Sequence, residues 1–409
     1  MKKKILAAFL CLACVLSLFA ACSPKTESYD VTMWVSEKEG AKELFLKQID
    51  AFEAANPGVR LNVTVEGVSE ADVASKIAPD VVSAPDIYCF AQDQLARLVK
   101  ANALAKLGVS AQASVKELND SGSVSAATVA GEIYAYPMTS DNGYFMYYDT
   151  SIISSDDAKD LSRLVAACEA SGKKFRYALE NAWYTASFFF ATGCDSTWTM
   201  NENGDFVGID DSLNSPEGIT AMKGMQILTK SPAYDSNADV FTDAGVIVTG
   251  IWNATTAEEY FGENLGVAEL PSFTVDGKSY HLGSFSGYKL IGVKPQKDAK
   301  LAAILSRLAL FLTGEECQTE RYESFQWGPS NRSAQASEAV QSNPSLAALA
   351  AQNAGYGKPQ GQIGGAWWDI AKVLGADAKV ATTEGELQAA LDRYDAAIKA
   401  WLDSSNKEK

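Results

Sequence analysis

Apolar and polar residues along the first hundred positions follow two different periods. Positions 31–35 form an apolar run, and positions 59–65 alternate strictly between apolar and polar residues, which predicts two strands. Between them, the apolar residues of positions 41–55 share one helical face, and this helix ends at Asn56-Pro57-Gly58 because proline lacks a backbone donor. Positions 84–90 predict a third strand. Strands separated by helices indicate an α/β fold with a mostly parallel sheet covered on both faces.

The same alternation continues through the rest of the chain. Positions 197–209 alternate around Asn203-Gly204, which is a strong hairpin signal. Positions 301–312 place apolar residues on one helical face. Thr383 followed by Glu386 is a candidate capping box at the start of a last helix. A chain of 409 residues with such signals throughout predicts more than one domain.

The N-terminus has the features of a secretory signal. Three lysines precede the apolar or small residues of positions 5–21, so positions 1–21 are predicted to be a signal peptide. The segment Leu18-Phe19-Ala20-Ala21-Cys22 resembles a lipobox, in which Cys22 is acylated and becomes the mature N-terminus. Positions 22–28 then form a lipidated linker. These features predict an extracytoplasmic protein that is lipid-anchored to the cell membrane.

Charge and residue counts exclude several kinds of partner. The chain has 51 acidic and 35 basic residues, which argues against a nucleic-acid partner because phosphate binding needs a basic surface. Its one histidine, His281, leaves no multi-histidine metal site, and we predict neither a metal nor a cofactor. Four cysteines, Cys89, Cys168, Cys194 and Cys317, are widely spaced and predicted to be buried thiols, although a disulfide stays open.

The sequence signatures of catalysis are absent. The chain contains no G-x-S-x-G, no P-loop and no G-x-G-x-x-G, and a Ser-His-Asp triad would have to use His281. A glycoside hydrolase needs two carboxylates at a set separation. With 51 acidic residues in the chain, candidate pairs are so common that they are no evidence for such an enzyme. The sequence therefore favours a protein that is not an enzyme.

Several aromatic residues lie beside polar residues at predicted strand ends and helix starts. A flat ring packs on the C–H face of a sugar, while nearby carboxylates and amides bind its hydroxyls. Each of these rings taken alone is better explained by core packing, but their repeated grouping with polar residues favours a sugar site. The groups are Phe90 before Asp93, Trp183-Tyr184 after Asn181, Trp252 beside Asn253, and Trp367-Trp368 before Asp369.

Motifs in a fixed order along the mature chain point to a known family. They are Val31-Thr32-Met33-Trp34, Asn56-Pro57-Gly58, Ala84-Pro85-Asp86-Ile87, Gly131-Glu132-Ile133-Tyr134-Ala135-Tyr136-Pro137, Tyr147-Tyr148-Asp149, Gly250-Ile251-Trp252 and Gly365-Ala366-Trp367-Trp368. From Tyr29 to Trp401 the chain resembles the extracellular solute-binding proteins of ABC importers, above all the maltose/maltodextrin-binding family. The resemblance implies two α/β lobes joined by hinge strands, with the ligand cleft between them. The predicted N-terminal lobe is 29–138 plus 272–327, and the C-terminal lobe is 142–270 plus 330–409.

The resemblance also implies which residues touch the ligand. It assigns hydrogen-bonding side chains and aromatic platforms to both lobes, with Tyr184 replacing Trp183 if the alignment there moves by one place. Gln94 departs from the family, which has a basic ligand residue at this position. The implied ligand-binding residues are Glu37, Lys38, Phe90, Asp93, Asp141, Trp183, Tyr184, Trp252, Trp367 and Trp368.

The function that follows from the resemblance is capture of an oligosaccharide for import. A maltose- or maltodextrin-type α-glucan is the leading ligand, and the membrane permease subunits of an ABC importer are the expected partner. The resemblance favours a monomer. Two alternatives stay open: a receptor for a non-sugar solute such as a polyamine on the same fold, and a secreted glycan-acting enzyme.

Overall fold

The computed structural model describes residues 26–201 and 205–407, with side chains described through residue 404. Helices and strands alternate along this part of the chain, as the sequence predicts. The strands are β1 Glu27–Val35, β2 Val59–Gly67, β3 Ile87–Ala91, β4 Thr128–Val129, β5 Glu132–Ile133, β6 Ala135–Thr139, β7 Phe145–Asp149, β8 Lys174–Arg176, β9 Ser196–Met200, β10 Phe206–Asp211, β11 Tyr234–Asp235, β12 Ala244–Thr249, β13 Leu265–Ala268, β14 Ser272–Val275, β15 Lys278–His281, β16 Ser284–Ser286, β17 Lys289–Val293 and β18 Gly357–Pro359.

The helices lie mostly between these strands, and several follow β17 and β18. They are α1 Ala41–Ala55, α2 Val73–Ile77, α3 Leu95–Lys100, α4 Val109–Leu118, α5 Ser121–Ala126, α6 Leu161–Ser171, α7 Ala182–Thr192, α8 Pro216–Thr229, α9 Ala254–Phe261, α10 Ala299–Leu312, α11 Glu315–Phe325, α12 Arg332–Gln335, α13 Glu338–Gln341, α14 Pro344–Tyr356, α15 Ala366–Ala371, α16 Val373–Val380 and α17 Glu384–Lys407. Among the described residues, no helix is both long enough and apolar enough to cross a membrane.

Two five-stranded sheets define two lobes. The sheet of the first lobe has the order β2-β1-β3-β17-β6, and that of the second lobe has the order β11-β8-β12-β7-β13. Each sheet is mixed rather than mostly parallel, because one strand in each runs against its neighbours: β17 in the first lobe and β7 in the second. Both reversed strands directly follow a crossing of the chain from the other lobe, so each enters its sheet from the opposite direction.

Each lobe has its own hydrophobic core. In the first lobe, Phe45 and Phe52 on α1 are buried against the sheet, as the helical period predicts. In the second lobe, separate clusters cover the two faces of the sheet. The last helix begins as predicted, since a carboxylate oxygen of Glu386 accepts from the Thr383 N–H at 3.1 Å and the Thr383 hydroxyl accepts from the Glu386 N–H at 3.3 Å.

Two short segments pack with a different lobe from the one predicted. Phe273 and Leu282, predicted for the N-terminal lobe, belong to the core of the second lobe, where Phe273 packs against Phe188 of α7 at 5.3 Å between ring centroids. Asn331, predicted for the C-terminal lobe, forms a β-bridge with Asn119 of the first lobe. Local patterns do not show which lobe a short crossing segment contacts, because that depends on the path of the whole chain.

The predicted hairpin and the cysteines lie largely within the described residues, whereas the N-terminal segment does not. Strands β9 and β10 pair antiparallel as predicted, but the Asn203-Gly204 turn lies outside the described residues. The four predicted buried thiols are buried and unpaired, so they form no disulfide with one another. The signal peptide and the lipidation site Cys22 also lie outside the described residues.

Candidate functional site

A cleft of about 720 Å³ lies between the two lobes and takes residues from both. This volume is in the range of small-molecule sites. The first lobe contributes mainly charged side chains, and the second contributes most of the aromatic ones. The principal residues of the first lobe are Glu37, Lys38, Glu70, Asp93, Arg97 and Lys289, and those of the second are Asn181, Trp183, Tyr184, Asp239, Trp252 and Trp368.

Strand ends and helix starts position these side chains. Glu37 and Lys38 follow the carboxyl end of β1, and Asp93 lies in a one-turn 3-10 helix directly after β3. Trp252 lies in an equivalent turn after β12. Asn181 caps α7 by accepting from the Trp183 N–H at 3.0 Å, which sets the direction of the first helical turn. The cleft therefore lies at the carboxyl ends of the strands, as in other open α/β sheets.

Trp183, Trp252 and Tyr184 form an aromatic wall on the second lobe. The ring centroids of Trp183 and Trp252 are 5.8 Å apart, and those of Trp183 and Tyr184 are 5.0 Å apart. The indole N–H of Trp183 is buried without a hydrogen-bond partner in the described part of the chain. The wall thus lines the second-lobe side of the cleft with aromatic rings.

Asp93 is the most deeply buried carboxylate of the cleft, with 5% of its surface exposed. Burial raises its pKa from 3.8 to about 6, and the guanidinium of Arg97, 3.6 Å away, opposes that rise only in part. The side chain of Trp368 on the second lobe also interacts with this carboxylate and favours its charged form. Asp93 therefore already faces a residue of the opposite lobe.

Two lysines of the first lobe reach toward Trp252. The ammonium of Lys38 donates to the backbone carbonyl oxygen of Trp252 at 3.3 Å. The ammonium of Lys289 lies 5.5 Å from the centroid of the Trp252 ring and 3.6 Å from the carboxylate of Glu70. The platform ring is thus placed against positive charge on the first lobe.

The sequence matches a family of proteins that bind small molecules, which agrees with a cleft between two mixed α/β lobes. Residues 47–348, most of the chain, match the bacterial extracellular solute-binding proteins. The chain belongs to this family. The predicted resemblance is confirmed at that level, and the proteins of the family bind solutes outside the cytoplasm.

This solute-binding protein is also similar to individual proteins and solved structures. The maltotriose-binding protein of Pyrococcus abyssi is 22% identical over 274 residues, which is 64% of this chain, and the match spans only 58% of that relative's length. A structure solved with acarbose is 28% identical, with a TM-score of 0.79 over 92% of this chain and 100% of the other.

Two further solved structures share the fold. The maltodextrin-binding protein of L. casei BL23 without ligand has a TM-score of 0.74 at 24% identity, covering 90% of this chain and 98% of its own. The maltose/maltodextrin-binding domain of Bdellovibrio bacteriovorus, bound to maltotriose, has a TM-score of 0.74 at 17% identity, covering 91% of this chain and 100% of its own. At these identities the likeness shows the two-lobe fold alone.

The cleft of this solute-binding protein brings together most of the predicted ligand-binding residues. From the first lobe, Glu37, Lys38 and Asp93 line it. From the second lobe, four aromatic side chains line it, namely Trp183, Tyr184, Trp252 and Trp368. Their contact with a ligand stays a prediction.

Phe90 does not line the cleft. Its ring is fully buried in the first-lobe core and packs against Tyr88 at 5.9 Å between ring centroids. Every residue of β3 is buried, so the strand has no exposed face on which an alternating pattern would place a platform. The prediction that Phe90 stacks on a ligand is therefore wrong for this structure.

Asp141 and Trp367 also lie outside the cleft. The carboxylate of Asp141 accepts from the Gly328 N–H at 2.6 Å, so it joins two segments that cross between the lobes. Burial raises the pKa of Asp141. The indole of Trp367 donates to the Tyr394 hydroxyl at 2.9 Å within the second-lobe core. Its neighbour Trp368, on the other face of the short helix α15, is the one that reaches the cleft.

Sequence reasoning missed several residues of the cleft. Asn181 carries a visible signal, because an asparagine before an aromatic helical run is a candidate N-cap. Glu70 and Lys289 carry none, since neither belongs to a motif. Lys289 lies opposite Ala91 in the ladder between β17 and β3, and only the strand order brings these distant positions together.

Proposed function

We propose that this protein is the substrate-binding component of an ABC sugar importer, and that it captures an α-glucan oligosaccharide of the maltodextrin type. The single observation that carries the proposal is the composition of the cleft. Aromatic rings of the second lobe and charged side chains of the first line the same cleft, whose volume is about 720 Å³. Sugar rings present apolar C–H faces and a rim of hydroxyls, so they need both kinds of surface at once.

The aromatic wall supports a sugar rather than a purely ionic solute. Trp183 and Trp252 are neighbours in the wall of the cleft, with 5.8 Å between their ring centroids. Relatives whose names specify a ligand include a maltotriose-binding protein and maltodextrin-binding proteins, which favours α-linked glucose units.

Hinge closure is the proposed mechanism of capture. A ligand favours the closed form only through contacts that the open form lacks. An oligosaccharide lying on Trp252 and bonded to Glu37 or Asp93 would touch both lobes and thus stabilise closure. The hydrogen bond from Lys38 to Trp252 already joins the lobes directly in this structure.

Delivery to a membrane permease completes the proposed role. The closed protein presents surfaces of both lobes side by side, and the permease subunits of the importer are the proposed partner. We propose that acylation of Cys22 holds the protein, as a monomer, on the outer side of the cell membrane close to that permease. The protein needs no catalytic step for this role.

Isothermal titration with a panel of sugars tests the proposal. Maltose, maltotriose, maltotetraose and acarbose should bind, and maltotriose should bind more tightly than cellotriose, which has the same units in β linkage. Ligand at about 100 times Kd should also stabilise the fold by about 2.7 kcal/mol. Binding of spermidine but of no sugar would overturn the proposal, as would release of glucose from any of these sugars by the purified protein.

A further inference from the structure

Glu70 and Lys289 lie side by side at the floor of the cleft, and both flank Ala91. The backbone carbonyl oxygen of Glu70 accepts from the Ala91 N–H at 3.0 Å. Lys289 lies opposite Ala91 in the ladder between β17 and β3. The backbone positions of Glu70 and Lys289 are therefore both fixed relative to Ala91 of the first-lobe sheet. Both line the cleft.

Neither charged group is satisfied by the other. The Lys289 ammonium and the Glu70 carboxylate are 3.6 Å apart, which is too long for a hydrogen bond, although the side chains are only 12% and 10% exposed. One carboxylate oxygen of Glu70 is buried without a hydrogen-bond partner in the described residues. A buried ion pair is stable only if further hydrogen bonds satisfy its remaining donors and acceptors. The pair therefore keeps unused hydrogen-bonding capacity at the cleft that both residues line. The buried Asp141 carboxylate also interacts with the pair, because burial raises its pKa while Lys289 opposes that rise and Glu70 adds to it.

The surroundings determine which chemical group fits. An ammonium only donates and a carboxylate only accepts, whereas a hydroxyl does both. An anionic ligand group would meet Glu70, and a cationic one would meet Lys289. The Lys289 ammonium also lies over the Trp252 ring, 5.5 Å from its centroid, and 5.7 Å from the centroid of the buried Trp327 ring. A hydroxyl bound to this ammonium would therefore lie close to Trp252.

We propose that Glu70 and Lys289 form a hydroxyl subsite, in which one sugar hydroxyl accepts from the Lys289 ammonium and donates to the Glu70 carboxylate. This subsite rests on the proposed carbohydrate function. It determines specificity for a neutral, hydroxylated ligand because the pair rejects a fixed charge of either sign.

The test compares maltotriose binding by wild-type protein, Glu70→Gln, Lys289→Met and the double variant, by isothermal titration. Each single variant should weaken binding roughly tenfold to hundredfold, as expected for a lost charge-assisted hydrogen bond. The double variant should lose about as much as one single variant, because both residues hold the same hydroxyl. It also removes both charges together, so it should fold even if a single variant is destabilised.

Lys294→Met is the matched control. Lys294 follows the same strand β17 at its other end, lies 3.8 Å from the carboxylate of Asp86, and is 18% exposed, but it does not line the cleft. Its replacement should leave the affinity for maltotriose unchanged. Circular dichroism melting of each ligand-free variant verifies that the fold is kept.

Monodeoxy analogues of maltotriose separate a ligand contact from a structural role. One analogue, lacking the bridging hydroxyl, should bind wild-type protein more weakly than maltotriose yet bind the double variant as well as maltotriose does. Equal penalties for every analogue in wild type and double variant would overturn the subsite. So would unchanged affinity in both single variants, or losses that add in the double variant. Failure of wild-type protein to bind any sugar would instead overturn the proposed function, and the subsite with it.

Discussion

The side-chain ammonium of Lys38 on the first lobe donates to the backbone carbonyl oxygen of Trp252 on the second lobe at 3.3 Å. This bond joins a polar residue after β1 to the platform residue after β12. The main chain at Trp252 is therefore held by the lobe that its ring faces. This hydrogen bond is one of the direct contacts between the lobes, together with that of Trp368 with Asp93.

Replacing Lys38 by methionine should favour the open arrangement of the ligand-free protein, because the bond to Trp252 is lost. The radius of gyration from small-angle X-ray scattering should increase, and the affinity for maltotriose should fall roughly tenfold. Lys42→Met, which removes an exposed lysine from α1, serves as the control. An unchanged radius of gyration in Lys38→Met would show that the bond does not hold the lobes together.

Trp252→Ala should weaken sugar binding by about 1.4 kcal/mol or more, which is at least tenfold, because the ring face is removed from the cleft. Trp252→Phe keeps part of that face and should lose less. Titration calorimetry with maltotriose measures both. The melting temperature of the ligand-free protein should change little, since Trp252 is only half-buried. Equal affinity in all three proteins would remove Trp252 from the site.

Asp93 should make folding stability depend on pH in a particular direction. Burial raises its pKa from 3.8 to about 6 in the folded protein, so the folded state binds this proton more tightly than the unfolded state does. The associated stabilisation is present below pH 4 and is lost as the pH rises through about 6, with a size of about 2–3 kcal/mol.

Asp93→Asn removes this titration. The unfolding free energy of the variant minus that of wild type, from urea denaturation, should therefore rise between pH 4 and pH 7 by about 2–3 kcal/mol. Other carboxylates contribute equally to both proteins and cancel in the difference. A difference that stays constant over this range would contradict the assignment.

The adjacent residues Trp367 and Trp368 should respond oppositely to substitution. Trp367→Phe breaks the bond to the Tyr394 hydroxyl within the core and should cost about 1–3 kcal/mol of stability without affecting sugar affinity. Trp368→Ala removes a side chain that lines the cleft and should weaken binding. Urea denaturation and titration calorimetry on both variants test this, and a loss of affinity in Trp367→Phe alone would reverse the two roles.

Much of the fold follows from local features of the sequence. The helix α1, the strands β1 and β2, and the Thr383–Glu386 capping box all form where the pattern predicts them. Each depends on residues within a few positions of one another, because helical hydrogen bonds, caps and the burial of one face are local. Ordered motifs were also sufficient to indicate the family, since their spacing reflects the sequence of strands.

The residues of the cleft were only partly predictable from the sequence. The family resemblance implied Glu37, Lys38 and Asp93, and these residues line the cleft because they directly follow strands whose ends meet at one edge of a sheet. Phe90 could not be separated from them, because a fully buried strand has no alternation to show which side faces the cleft.

The sequence by itself therefore determined many of the local elements and indicated the family, and it pointed to the polar residues at strand ends only through that resemblance. Only the tertiary structure decided that Trp368 rather than Trp367 reaches the cleft, and that Lys289 lies beside Glu70. The physical reason is that both facts depend on packing between distant segments. The order of strands in the sheet brings β17 next to β3, and no pattern within either strand specifies that neighbour.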